Sequence, residues 1–90
     1  MSQPVKVKYS KRFQKQYSKL TPKVREQFKA RQRLLLANPK STQLHLHKLT
    51  GEYAGLYSIN ITGDIRALYE QVGETYIMFG FIGTHSQLYG

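Results

Sequence analysis

Val5-Lys6-Val7-Lys8-Tyr9 alternates apolar and polar side chains, the period of a strand with one face on a core. Ser10 follows in the place of a helix N-cap. Phe13, Tyr17 and Leu20 then recur at i, i+4 and i+7, one apolar stripe on an otherwise basic helix. Thr21-Pro22 starts a second helix, since Thr caps well and Pro suits the first helical position. Val24, Phe28, Arg31 and Leu35 share a face that Leu34 and Leu36 widen, and Asn38-Pro39 stops the helix. These two helices read as an antiparallel hairpin. Leu44 to Leu49 alternates again and reads as a short extended segment, with His45 and His47 on one side. Thr50-Gly51 turns the chain into a strand from Tyr53 to Ile61, with Tyr53, Tyr57, Ile59 and Ile61 expected on one side. Thr62-Gly63-Asp64 and Val72-Gly73-Glu74 are turns; between and after them lie strands over Ile65 to Gln71 and Thr75 to Ile82.

The order βααβββ predicts an α+β fold, with the N-terminal helical hairpin packed on one face of an antiparallel sheet. The other face is left for binding. Ninety residues leave no room for a second core, so residues 1–90 are expected to form a single domain. There are no repeats or linkers.

Charge sharpens this picture. The chain carries 14 Lys and Arg against 5 acids, a net +9. Eleven of the basic residues fall within positions 1–33, where Glu26 is the sole acid. A field so one-sided attracts a polyanion, whereas solubility alone does not require segregated charge. Absence of cysteine excludes disulfides and thiolate metal sites. Met1 to Lys6 has no apolar leader segment, and no apolar run approaches the roughly 20 residues that span a bilayer. A cytoplasmic protein with no membrane association is expected.

Polar and titratable groups gather in the second half: His45, His47, Asn60, Asp64, Arg66 and His85. RNA cleavage without a metal needs a base for the 2′-OH, an acid for the leaving 5′ oxygen, and a cation for the phosphoryl oxygens. Histidine suits proton transfer, arginine suits phosphate, and an aromatic ring stacks on an unpaired base. His85, His47, Asp64, Arg66 and Tyr89 supply such a set. Each also has a plain structural reading. Arg66 could pair with Asp64 or Glu70, Asp64 could serve only its turn, His47 and His85 could be solvated, and Tyr89 could dock the tail. Residue types and spacing therefore point to a polyanion binder and leave catalysis open. His45, His47 and His85 come without cysteine and with few acids, so no metal and no cofactor are expected.

Gly83-Thr84-His85-Ser86-Gln87-Leu88-Tyr89-Gly90 resembles the C-terminal G-T-H-x-x-L-[FY]-G signature of YafQ-like toxins. His47-Lys48-Leu49-Thr50-Gly51, with Gly55 and Tyr57 after it, resembles their H-x-L-x-G segment. Gly63-Asp64-Ile65-Arg66-Ala67-Leu68-Tyr69 resembles the strand shared across the wider RelE/ParE superfamily. The resemblance spans nearly the whole chain. It implies a microbial-ribonuclease-like fold, cleavage of mRNA in the ribosomal A site through a 2′,3′-cyclic phosphate, and a cognate antitoxin partner. The basic N-terminal half would contact ribosomal RNA of both subunits. By motif position, His85 would be the general acid, with His47 and Asp64 serving base function and orientation. Arg66 would steady the phosphate. Tyr89, Asn60 and Lys48 would bind substrate. Two positions depart from the family pattern: Asn60 stands where many members have histidine, and Phe81 where many have arginine. Arg66 is expected to supply the missing charge. A gyrase inhibitor of ParE type and a non-catalytic ribosome- or RNA-binding module are the alternatives within the same fold.

Overall fold

A computed structural model describes residues 6–89. Residues 1–5, with Val5 of the first expected strand, and Gly90 of the tail motif lie outside the described residues. The elements are β1 (Lys6–Tyr9), α1 (Lys11–Ser18), α2 (Pro22–Ala37), β2 (His47–Lys48), β3 (Leu56–Asn60), β4 (Ile65–Val72), β5 (Tyr76–Thr84) and α3 (His85–Tyr89). Short 3-10 turns span Thr42–Leu44 and Gly51–Tyr53.

The caps fall where the sequence places them. Ser10 Oγ accepts from Phe13 N at 3.0 Å, and Thr21 Oγ1 accepts from Val24 N at 3.3 Å with Pro22 next in line. Each takes one of the amide donors a helix leaves unpaired at its start. Asn38 closes α2, its amide donating to the Leu34 carbonyl at 2.7 Å.

Five strands form one sheet in the order β1-β5-β4-β3-β2. The α+β layer with its helical hairpin on one face is as expected. The sheet is mixed, however: β1 runs parallel to β5, and the other pairings are antiparallel. The helical hairpin is the crossover that parallel neighbours require. Phe13 and Phe28 from the hairpin meet Phe79 of β5, with ring centroids 5.6 and 5.1 Å away. Phe79, Leu44, Ile59 and Ala67 are fully buried in this core, together with Ile61, Ile82 and Leu35. Removing a ring such as Phe79 would cost about 3–5 kcal/mol.

One irregularity directs the rest of the molecule. Leu68 pairs with Phe81 but Tyr69 pairs with Phe79, so Gly80 is an extra residue on β5. Strict alternation would put Phe79 and Phe81 on one face. The bulge instead leaves Phe79 in the core and turns Phe81 to the opposite face. β1 ends at this level, and α1 completes the exposed edge of β5 with side chains. Ser10 Oγ donates to the Gly80 carbonyl at 3.1 Å, and Gln16 Oε1 accepts from Ile82 N at 2.9 Å. An edge strand is thereby covered without another strand.

Two expectations change in detail. Tyr53 is outside β3: Gly51 at φ +68 and Gly55 at φ +96 bracket it in a turn, so it joins the face opposite Tyr57. His45 takes a left-handed conformation with φ 46 and ψ 40, which ends the extended run that would have aligned it with His47.

Candidate functional site

The face of the sheet away from the hairpin carries the site. Residues directly opposite across an antiparallel pair share a face. His47, Ser58, Leu68 and Phe81 therefore form one rung, and Asn60, Arg66 and Gly83 form the next. Leu68 is fully buried although it faces away from the main core. The tail packs on this face through Tyr53, which also meets Phe81.

The tail is built by a reciprocal cap. Thr84 Oγ1 accepts from Gln87 N at 3.1 Å, and Gln87 Oε1 accepts from Thr84 N at 2.8 Å. This is the Thr-x-x-Gln capping box. It fixes the turn from β5 into α3, placing His85 at the first helical position and burying Leu88 at 6% exposure. Tyr53 Oη donates to the Leu88 carbonyl at 2.5 Å and clamps the helix onto the sheet.

An aromatic chain results. The His85 ring lies 4.7 Å from Tyr89, Tyr89 lies 5.4 Å from Tyr53, and Tyr53 lies 5.3 Å from Phe81. Tyr89 lies edge-on to Tyr53, while 40% of the residue stays exposed. Burial raises the Tyr89 pKa, and the neighbouring Tyr53 adds to the rise; Ser58 and the positive field of Arg66 oppose it. Tyr89 is therefore a neutral phenol at physiological pH, suited to stacking and hydrogen bonding rather than to taking a proton.

Arg66 is half-buried. One nitrogen of its fork donates to the Thr62 and Ile65 carbonyls at 3.0 and 3.2 Å. These bonds anchor the guanidinium at the β3–β4 turn. Neither Asp64 nor Glu70 pairs with it; among the described residues the ion pair is Lys29–Glu26. A guanidinium held by carbonyls keeps its full charge for an anion, because no carboxylate cancels it.

The remaining predicted residues distribute as follows. Asn60 sits opposite Arg66. His47 lies exposed on edge strand β2, where Nδ1 meets the His45 carbonyl at 2.8 Å. A carbonyl only accepts, so Nδ1 carries the proton and Nε2 is left with a lone pair in the neutral ring. Asp64 is exposed in its turn, its amide donating to Thr62 Oγ1 at 3.2 Å. Lys48 pairs with Tyr57, on the face opposite His47; it is not drawn into the group. Among the described residues no three His, Asp or Glu side chains cluster as metal ligands would.

Three contributors escaped sequence reasoning. Tyr53 and Ser58 were read as ordinary strand positions. Arg12, on α1, reaches past the edge of β5 and places its guanidinium carbon 5.1 Å from the Phe81 ring centroid. The bulge and the parallel pairing bring Arg12 there, and neither has a signal in the hydrophobic period.

Comparison with known proteins bears on the whole chain. Residues 5–90 match the model of a family described as the bacterial toxin of type II toxin–antitoxin system, YafQ. The crystal structure of YafQ from E. coli superposes with a TM-score of 0.81 at 21% identity, covering 96% of this chain and 99% of that one. YafQ within the E. coli DinJ–YafQ toxin–antitoxin complex gives 0.79 at 21% identity, covering 97% and 99%. A YoeB/ParE toxin from Agrobacterium tumefaciens gives 0.75 at 18% identity, covering 90% and 99%. At such identities these structures speak for the fold. A search among curated proteins finds no significant match. No helix among the described residues is long and apolar enough to cross a membrane.

Proposed function

The chain belongs to the YafQ family of bacterial toxins of type II toxin–antitoxin systems, and from that premise we propose that it is an endoribonuclease cutting mRNA on the ribosome. One observation carries the reading. The His85 ring packs on Tyr89 at 4.7 Å, and Arg66 stands on the same face of the sheet, opposite Gly83 where the tail begins. A proton carrier, a fixed cation and a stacking surface thus meet on one face.

The chemistry follows from these groups. The 2′ oxygen of a nucleotide attacks the adjacent phosphorus while a base removes its proton. The bond from phosphorus to the 5′ oxygen breaks, and His85 donates a proton to that oxygen. The products are a 2′,3′-cyclic phosphate and a free 5′ hydroxyl. Arg66 stabilises the charge that grows on the phosphoryl oxygens. Tyr89 stacks on the unpaired base beside the cut. His47 and Asp64 serve the base side and its orientation. Asn60 offers an amide on the Arg66 rung, and Lys48, on the other face, takes no part in the cut. Ribosomal RNA binds the basic helical half and positions the substrate for in-line attack.

E. coli YafQ is seen in complex with DinJ. A cognate antitoxin is accordingly the protein partner of this chain, acting through an acidic segment laid on the basic surface. The catalytic reading is tested by inducing the protein in cells and mapping new mRNA 5′ ends. Wild type should generate them. His85→Gln should lower cleavage by about 10²–10⁴-fold while ribosome association persists, and Arg66→Ala by about 10²–10³-fold. Growth arrest with intact mRNA, or a His85→Gln protein that still cuts at the wild-type rate, sinks the reading.

A further inference from the structure

We propose that Arg12 is a second phosphate-binding residue of this face, taking a phosphate that flanks the scissile one in single-stranded RNA. The inference rests on the nuclease reading for the identity of the strand, and on separate observations for the residue.

Arg12 belongs to α1, whose apolar side is buried in the opposite face of the sheet. The end of β1 at the Gly80 bulge leaves α1 lying along the edge of β5, tied there by Ser10 and Gln16. From this position Arg12 crosses the edge and lies over Phe81. Phe81 continues through Tyr53 and Tyr89 to His85. The two arginines of the face therefore stand at different places on one aromatic floor. Arg66 stands opposite Gly83, where the tail begins, whereas Arg12 lies over Phe81, with Tyr53 between that ring and Tyr89. The scissile phosphate lies with Arg66 and His85, and a neighbouring phosphate falls to Arg12.

Its chemistry suits the task. Arg12 is exposed and has no acidic partner among the described residues. Phe81 holds the guanidinium by its π face, which leaves the N–H edges for an anion. Aromatic rings interleaved with cations are the usual platform for unpaired nucleotides.

The test measures binding of a fluorescent 2′-O-methyl RNA of about ten nucleotides, which lacks the attacking hydroxyl, at several salt concentrations. Arg12→Gln should weaken binding about fivefold at low salt and flatten the slope of log affinity against log salt by about 0.7, the value for one phosphate on a single strand. Arg12→Lys should restore the slope, which a merely structural role for the side chain would not do. Thermal melts of both variants should match wild type, since the residue is exposed. A wild-type protein that does not hold the oligonucleotide, or an Arg12→Gln protein with unchanged affinity and slope, overturns the proposal. Failure of the nuclease reading looks different: no cleavage of cellular mRNA, whatever the slope shows.

Discussion

Tyr69 illustrates how one buried polar atom sets a limit on the molecule. It is 5% exposed, stacked on Tyr57 and edge-on to Phe79. Burial raises its phenol from 10.0 to about 12, and proximity to Tyr57 adds to the rise. The folded state thus keeps a proton that the unfolded chain releases above its own value near 10. This contribution to stability is complete below pH 10 and is lost as pH climbs through 12, amounting to roughly 2–3 kcal/mol. Wild type should therefore lose more stability than Tyr69→Phe between about pH 9 and 12, as read from urea midpoints. Parallel curves for the two proteins would show that the Tyr69 hydroxyl ionises freely in the fold.

Among the elements, α3 is the one whose existence depends on a few atoms. A Cβ at position 83 would lie 2.8 Å from Gln87 Oε1, the oxygen that caps the helix. Gly83→Ala should displace Gln87, cost about 1 kcal/mol, and depress RNA cleavage by more than that loss of stability explains. Amide exchange at Leu88, compared with the global melt, separates the two effects; equal protection in both proteins would remove the cap from the account. This element also marks the boundary of what the sequence discloses. Both long helices, their caps at Ser10 and Thr21, and the meander are legible because apolar spacing and local capping chemistry act within a few residues. The tail motif was legible as a resemblance, but its helix was not read, because five residues carry too little period to reveal one. His85, Arg66 and Tyr89 were identified as a group and the fold brings them to one face. Tyr53 is displaced by two positive-φ glycines and Arg12 meets Phe81 only because of the bulge, interruptions that alternation does not foresee; Ser58 stands on the face alternation assigns it, and its residue type alone gives no signal.

At the scale of the molecule, charge and chemistry are separated. The basic residues concentrate in the hairpin, and the proton-transfer candidates lie on the other side of the sheet. Docking and cutting should accordingly be separable. Reversing Lys23 and Arg33, both exposed on α2, to glutamate should reduce ribosome association by about tenfold or more at low salt, an effect that fades as salt screens the field. Cleavage of free RNA by the same variant, measured on a gel, should stay near the wild-type rate. Equal losses in both assays would place the hairpin in the catalytic step itself.

The parallel pairing of β1 with β5 has a consequence for synthesis. The strand made first waits for the one made after residue 75, because β5 lies between β1 and β4 and is, among the described residues, the only partner of β1. Until that segment emerges from the ribosomal tunnel, the hairpin lacks the Phe79 ring that it packs around and β1 is unpaired. A nascent chain therefore stays unfolded as a toxin through most of its translation, and the ribosome that makes it meets the finished fold only after the message has been read nearly to the end of this domain.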